Sequence, residues 1–270
     1  MKAKTTKTVI AESRREERFV PINWGRSELS RFLAVAEQQA HATYASLPEW
    51  ISAMEAIDAA LIEGAPEYFH EIDAARQMSC RLFMRAFGTF RAATRLAISG
   101  QLFETVVLVR SVLESSVYAW ACGHSEPHRQ AWEHRDRGDE ERRAARRAFA
   151  WDGLKALLRT VDPALCERVN ILYDQTIDFG AHPNVEGVML SSEVKQLADD
   201  KFEFSTIFLH GEEAVVLAVL DLLRAMQLSY QLLTLTVGDR LRILGVDEKL
   251  WRQNQLVLGL IERLEKTGSG

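Results

Sequence analysis

Apolar positions recur every three to four residues through most of the chain, the period of an amphipathic helix rather than of a strand. Ser27 or Ser30 can cap a first helix running to about Ser46, and Pro48 suits the first turn of a second that ends before Gly64. These two predict an N-terminal helical hairpin over 22–65, preceded by a polar, loose tail over 1–21. Pro66 opens a long helix to Ile98, with Phe83, Phe87, Phe90 and Ala97 on one side and Arg81, Arg85, Thr89 and Arg95 largely on the other. Gly100 supplies the left-handed stop. The next helix, from Gln101 or Leu102 to about Cys122, carries Val106, Val107, Leu108, Val109, Val112, Leu113, Val117 and Trp120 nearly all the way round. Such a helix belongs at the centre of a fold. The expected class is therefore mainly all-α: a multi-helix bundle around a central antiparallel helical hairpin, in a core domain over 66–265, with 266–270 as a tail.

Beyond that hairpin, a connection over 123–138 holds a short helix after Pro127, and 139–160 reads as one helix whose acidic start and basic continuation suit the helix dipole, with pairs such as Asp139 and Arg143. Pro163 begins a helix to about Phe179 that breaks at Gly180, Ala181, His182, Pro183 and Asn184. Val188, Met189 and Leu190, then Phe202 to Phe208, favour strand and predict a small β-hairpin over 187–208. Helices over 211–237 and 247–264 complete the chain. The stretch 214–237 is apolar for long enough to span a bilayer, but Asp221 and Arg224 sit near its middle and share a narrow stripe with Gln227, Gln231 and Thr234. That stripe marks a core helix, and no membrane partner is expected.

Charge narrows the partners. A net charge of −5 opposes non-specific attraction to phosphate backbones, so nucleic acid, which a local basic patch still allows, is not indicated as a partner. Cys80, Cys122 and Cys166 are odd in number and widely spaced in apolar patterns, and read as buried thiols in a reducing compartment. The N-terminus has no apolar stretch of its own, so a cytoplasmic location is the expectation.

Most catalytic signatures are missing. There is no phosphate-binding loop, no dinucleotide fingerprint, no His-Glu-x-x-His and no Cys-x-x-Cys. The run from Gly123 to Pro127 starts like a nucleophile elbow but ends in proline. Glu67 and His70 have the spacing of a di-iron ligand pair without the second copy such a centre needs. Cys122, His124, His128 and His134 show no recognised zinc spacing. Arg129 and His134 fit an Arg-x4–6-His pattern that chance alone supplies roughly twice in a chain with this much arginine. No metal and no cofactor are expected.

Arg110 and Glu114 carry more information. They lie one turn apart on the most apolar helix, where an unpaired charge would cost several kcal/mol, so each needs a partner. The order Arg before Glu is also the weaker one for an exposed helical pair. Two roles fit: an ion pair holding helices in register, or a polar pocket inside the bundle. His182, in a turn after a helix, can cap carbonyls or exchange protons near neutral pH. The candidate catalytic set is thus Arg110, Glu114 and His182, and the candidate binding set adds Arg95, Ser111 and Asn184.

The run from Arg91 to Gln101, then Val109-Arg110-Ser111-Val112-Leu113-Glu114, and later Tyr173 to Phe179 before His182-Pro183, resembles a broad family of bacterial helical proteins without assigned activity. Its marks are a Ser-Gly turn, an Arg-Ser-x-x-Glu helix and a later His-Pro. That layout is similar in outline to HEPN-like domains of defence and toxin systems, an analogy of fold alone. Here His182 follows a helix break rather than an arginine one turn earlier, which departs from the ribonuclease pattern. Three functional expectations follow: a regulatory or interaction module that self-associates, a metal-independent HEPN-like ribonuclease using Arg110, Glu114 and His182, or a domain binding a small anionic ligand.

Overall fold

The computed structural model describes residues 21–63, 65, 69–181, 185–198, 200–243 and 245–267. Among them, eleven α-helices and one two-stranded sheet make a helical bundle. The helices are α1 (Glu28–Ser46), α2 (Pro48–Asp58), α3 (Ala74–Ile98), α4 (Leu102–His124), α5 (Glu126–His134), α6 (Asp139–Ala148), α7 (Trp151–Val161), α8 (Pro163–Thr176), α9 (Val185–Leu190), α10 (Glu212–Ile243) and α11 (Val246–Thr267). Strands β1 (Ser192–Ala198) and β2 (Lys201–Thr206) stand between α9 and α10. The proposed tails over 1–20 and 268–270 lie outside the described residues.

The expected central hairpin is present as α3 and α4. Gly100 (φ +82°) closes α3: its N–H donates to the Ala97 carbonyl, and Gln101 N–H donates to Leu96. This double bond satisfies carbonyls that the helix end would otherwise leave bare. α4 packs against both α3 and α10, so three long helices enclose the middle of the core. There Phe83, Phe87, Phe90, Leu113, Trp120, Leu222, Leu223 and Met226 are fully buried. Small residues let α4 and α10 come close: the hydroxyls of Ser116 and Ser229, both at 0% exposure, hydrogen-bond to each other at 2.7 Å. α2 adds Trp50, Ile51 and Met54 to the same cluster, α11 adds Val257 and Leu260, and α1 lies on α3.

Local start signals worked where polar side chains meet backbone. Ser27 and Ser30 together form a capping box at the head of α1, and Pro48 occupies the first turn of α2. The helix expected from Pro66 departs from this. α3 begins only at Ala74, because the Asp73 carboxylate accepts the Arg76 N–H at 2.9 Å and caps it there, after Glu71 has taken a positive φ of 50°. Residues 66–68 lie outside the described set.

Two more elements correct the sequence reading. The single helix over 139–160 is two, α6 and α7, broken at Phe149 and Ala150. The break lets Phe149 dock on Tyr118 and Trp132, with ring centroids 4.8 and 5.1 Å away, and burial of that ring outweighs helix continuity. Asp139 also bonds Arg142 rather than Arg143. Val188 to Leu190 belong to helix α9, not to a strand, and the first strand lies further on at β1. The hairpin itself is antiparallel, with Val194 opposite Phe204 and Gln196 opposite Phe202. α10 continues beyond Val237, where a non-helical turn kinks it, to Ile243. By length and composition α4 and α10 could each cross a membrane, yet most of the apolar stretch of each is buried inside the bundle.

Candidate functional site

α4 carries Arg110 and Glu114 to its junction with α8. Arg110 Nε donates to Glu114 Oε1 at 2.9 Å, and its Nη2 donates to the Tyr173 hydroxyl at 2.7 Å. That hydroxyl in turn donates to Glu114 Oε1 at 3.4 Å, closing a triangle. The guanidinium carbon also lies 4.8 Å from the centre of the Tyr173 ring, within cation–π range. Side-chain exposure is 18% for Arg110 and 34% for Glu114, so the pair is half-buried, and each member has the partners its setting demands. Burial works against the Arg110 cation, but hydrogen bonding and charge from Glu114, with Tyr173, hold its pKa above the ordinary arginine value.

Behind Tyr173 an aromatic wall begins. Trp151 stacks on it at 3.6 Å, nearly parallel, and the Trp151 indole N–H is buried without a partner. Tyr118, one turn from Glu114 on α4, donates to the Phe149 carbonyl at 3.3 Å and meets Trp132 edge-on. Burial raises the pKa of both phenols above the usual tyrosine range, with Glu114 adding to it. His128 Nδ1 lies 2.7 Å from Ser125 Oγ, and burial lowers its pKa against an opposing hydrogen bond to Ala148. The Arg135 guanidinium sits 4.7 Å over Trp132.

Of the residues singled out in sequence, the fold brings Arg110 and Glu114 together. Ser111 is half-buried and points about 100° round the helix from Arg110, outside the triangle. Arg95 is exposed on α3 and takes no part. His182 and Asn184 lie outside the described residues; the preceding turn, Ile177–Ala181, packs against α4. Tyr173 and Trp151 were missed. A signal for Tyr173 existed, since Leu165, Val169, Leu172 and Thr176 mark the buried face of α8 and Tyr173 falls on it.

Other candidates resolve separately. The Cys80 and Cys122 thiols are pushed up to about 12 by burial, far from nucleophilic. His124 stacks on Trp120, while Cys122 is fully buried, so these residues face different surroundings. His70 is exposed beside Glu71, and Glu67 lies outside the described residues. Arg129 pairs loosely with Glu126 at 3.6 Å.

Chemically the triangle is a neutral unit of one cation, one anion and one phenol that ties α4 to α8. Arg110→Met is expected to lower stability by about 1 kcal/mol, the discounted cost of a half-exposed pair plus one hydrogen bond to the phenol. Tyr173→Phe is expected to cost less, and the double variant less than the sum, because the two share an interaction. Urea denaturation of the four proteins measures this; strict additivity would mean that the triangle is not a unit. No family model, curated protein or solved structure matches the chain.

Proposed function

We propose that this protein is a helical interaction module that self-associates through its β-hairpin, working in a reducing compartment such as the cytoplasm. The observation that carries this is a two-stranded hairpin whose outer edges are unpaired among the described residues and one of whose faces is apolar and uncovered. Alternation along β1 and β2 puts Val194, Phe202 and Phe204 on one side and Glu193, Lys195 and Glu203 on the other. The first three are 49%, 52% and 73% exposed. Together they present on the order of 300 Å² of apolar surface, the lower end of the size that the largest patch on a monomer reaches, and such patches are often functional.

A two-stranded hairpin alone is only marginally stable in water, and both outer edges of this one are unpaired among the described residues. A second copy suits it. Antiparallel pairing of two β1 strands centred on Val194 sets Glu193 opposite Lys195 of the partner subunit, twice, by two-fold symmetry. The result is a four-stranded sheet whose apolar side is continuous across the axis. Buried thiols at Cys80, Cys122 and Cys166, none in a disulfide, suit the reducing compartment.

Sedimentation velocity over a micromolar range is expected to show a reversible dimer. Lys195→Glu places like charges opposite each other and should weaken it at least tenfold, about 1.4 kcal/mol, while Glu193→Lys combined with Lys195→Glu restores it. A wild-type monomer throughout, or a double swap no better than the single one, would retire the reading. The ribonuclease alternative draws on Arg110, whose guanidinium Glu114 and Tyr173 already engage, and this favours a structural role for that pair.

A further inference from the structure

The narrow polar stripe on α10 does not face solvent at random. Arg224, Gln227 and Gln231 line one wall of a groove of about 260 Å³ whose other wall is α8, with Arg168 at its rim and Leu172 and Leu228 on its apolar floor. That volume lies just below the usual range of small-molecule sites, about 300–1,000 Å³, and the lining has the usual mix of apolar surface and a few converging polar groups.

Donors dominate the polar groups. Gln227 lines the groove, but its amide nitrogen is sealed from water and has no partner. Arg168 Nη2 donates to Gln231 Oε1 at 2.6 Å, which occupies one of the two lone pairs of that oxygen. Arg224 Nη1 donates to Asp221 Oδ1 at 3.3 Å, a long bond to an acid on its own helix. Asp221 balances one arginine, so the lining keeps a surplus of one positive charge among the described residues. The occupant it suits carries one negative charge, accepts hydrogen bonds and has a short apolar part.

We propose that the α8–α10 groove binds a small aliphatic carboxylate, its oxygens received by the Arg168 and Arg224 guanidinium groups, its chain lying on Leu172 and Leu228. The site shares no residue with the hairpin, so it stands or falls apart from self-association.

Titration of the full-length protein with sodium hexanoate in a calorimeter tests this. One saturable site is expected, with 1-hexanol and inorganic phosphate each at least tenfold weaker. Arg168→Gln and Arg224→Gln should each weaken hexanoate about tenfold. Arg168 is exposed, so a loss there reports binding and not folding. Absence of saturation with hexanoate, phosphate binding as tightly as hexanoate, or variants that bind like wild type would each overturn the proposal.

Discussion

Trp120→Ala will cost about 4 kcal/mol of stability and lower the melting temperature by roughly 8–15 °C. The indole is fully buried in the middle of α4, stacked on His124 with ring centroids 5.1 Å apart, and packed where α3, α4 and α10 converge. Removing it leaves a cavity that three long helices, held at both ends, cannot collapse to fill. The conservative change separates volume from chemistry. The Trp120 N–H is buried without a partner, so Trp120→Phe removes an unmet donor along with part of the ring and should cost less than about 1.5 kcal/mol. Thermal and urea unfolding of both variants checks this. A cost of Trp120→Phe as large as that of Trp120→Ala would show that the volume of the ring does not carry the stability at this position.

Gly100→Ala should destabilise by about 3 kcal/mol, and two separable causes contribute. Its φ of +82° is open to glycine but strained by about 1 kcal/mol or more for alanine. A β-carbon there would also lie 2.7 Å from the His210 carbonyl oxygen and press on the Gln39 amide nitrogen. The Gln39 side chain can move, although it donates to that same carbonyl, while the His210 backbone is held by its own N–H bond to the Gly100 carbonyl. Gly25 provides the control: it has φ +81° with nothing within 4 Å of a new β-carbon. Gly25→Ala should therefore cost only the conformational part, about 1 kcal/mol. If the two variants unfold at the same urea concentration, the contact between the α3–α4 turn and the segment before α10 contributes nothing.

What could be read from the chain follows the range of the interactions involved. The α3–α4 hairpin was legible because its signals are local: phenylalanines at helical spacing, a glycine at the stop and an apolar sequence straight after. The break at Phe149 was not, since nothing within six residues forbids a helix there, and it exists because Tyr118 and Trp132, far back in sequence, receive the ring. Val188 to Leu190 misled for a related reason, as β-propensity is a weak preference that neighbours decide. The alternation that matters runs instead through Val194, Phe202 and Phe204.

At the site, the need for partners at Arg110 and Glu114 followed from placing charges on an apolar helix. The identity of one partner did not. Tyr173 lies 63 residues from Arg110, and only the packing of α8 on α4 brings its hydroxyl within reach. The polar stripe on α10 was equally visible in sequence, but the groove it lines depends on where α8 lies.

The position of α10 sets the timetable of synthesis. α3 and α4 are joined by a three-residue turn and can pair as soon as both leave the ribosome, whereas the end of α10 follows about 120 residues after α4, roughly 6–24 s later at ordinary elongation rates. Through that interval the side of the nascent hairpin that will receive α10, including Ser116, stays bare. The growing chain thus carries a sticky surface whose shielding, by a chaperone or by slow release, governs how much of it reaches the native state.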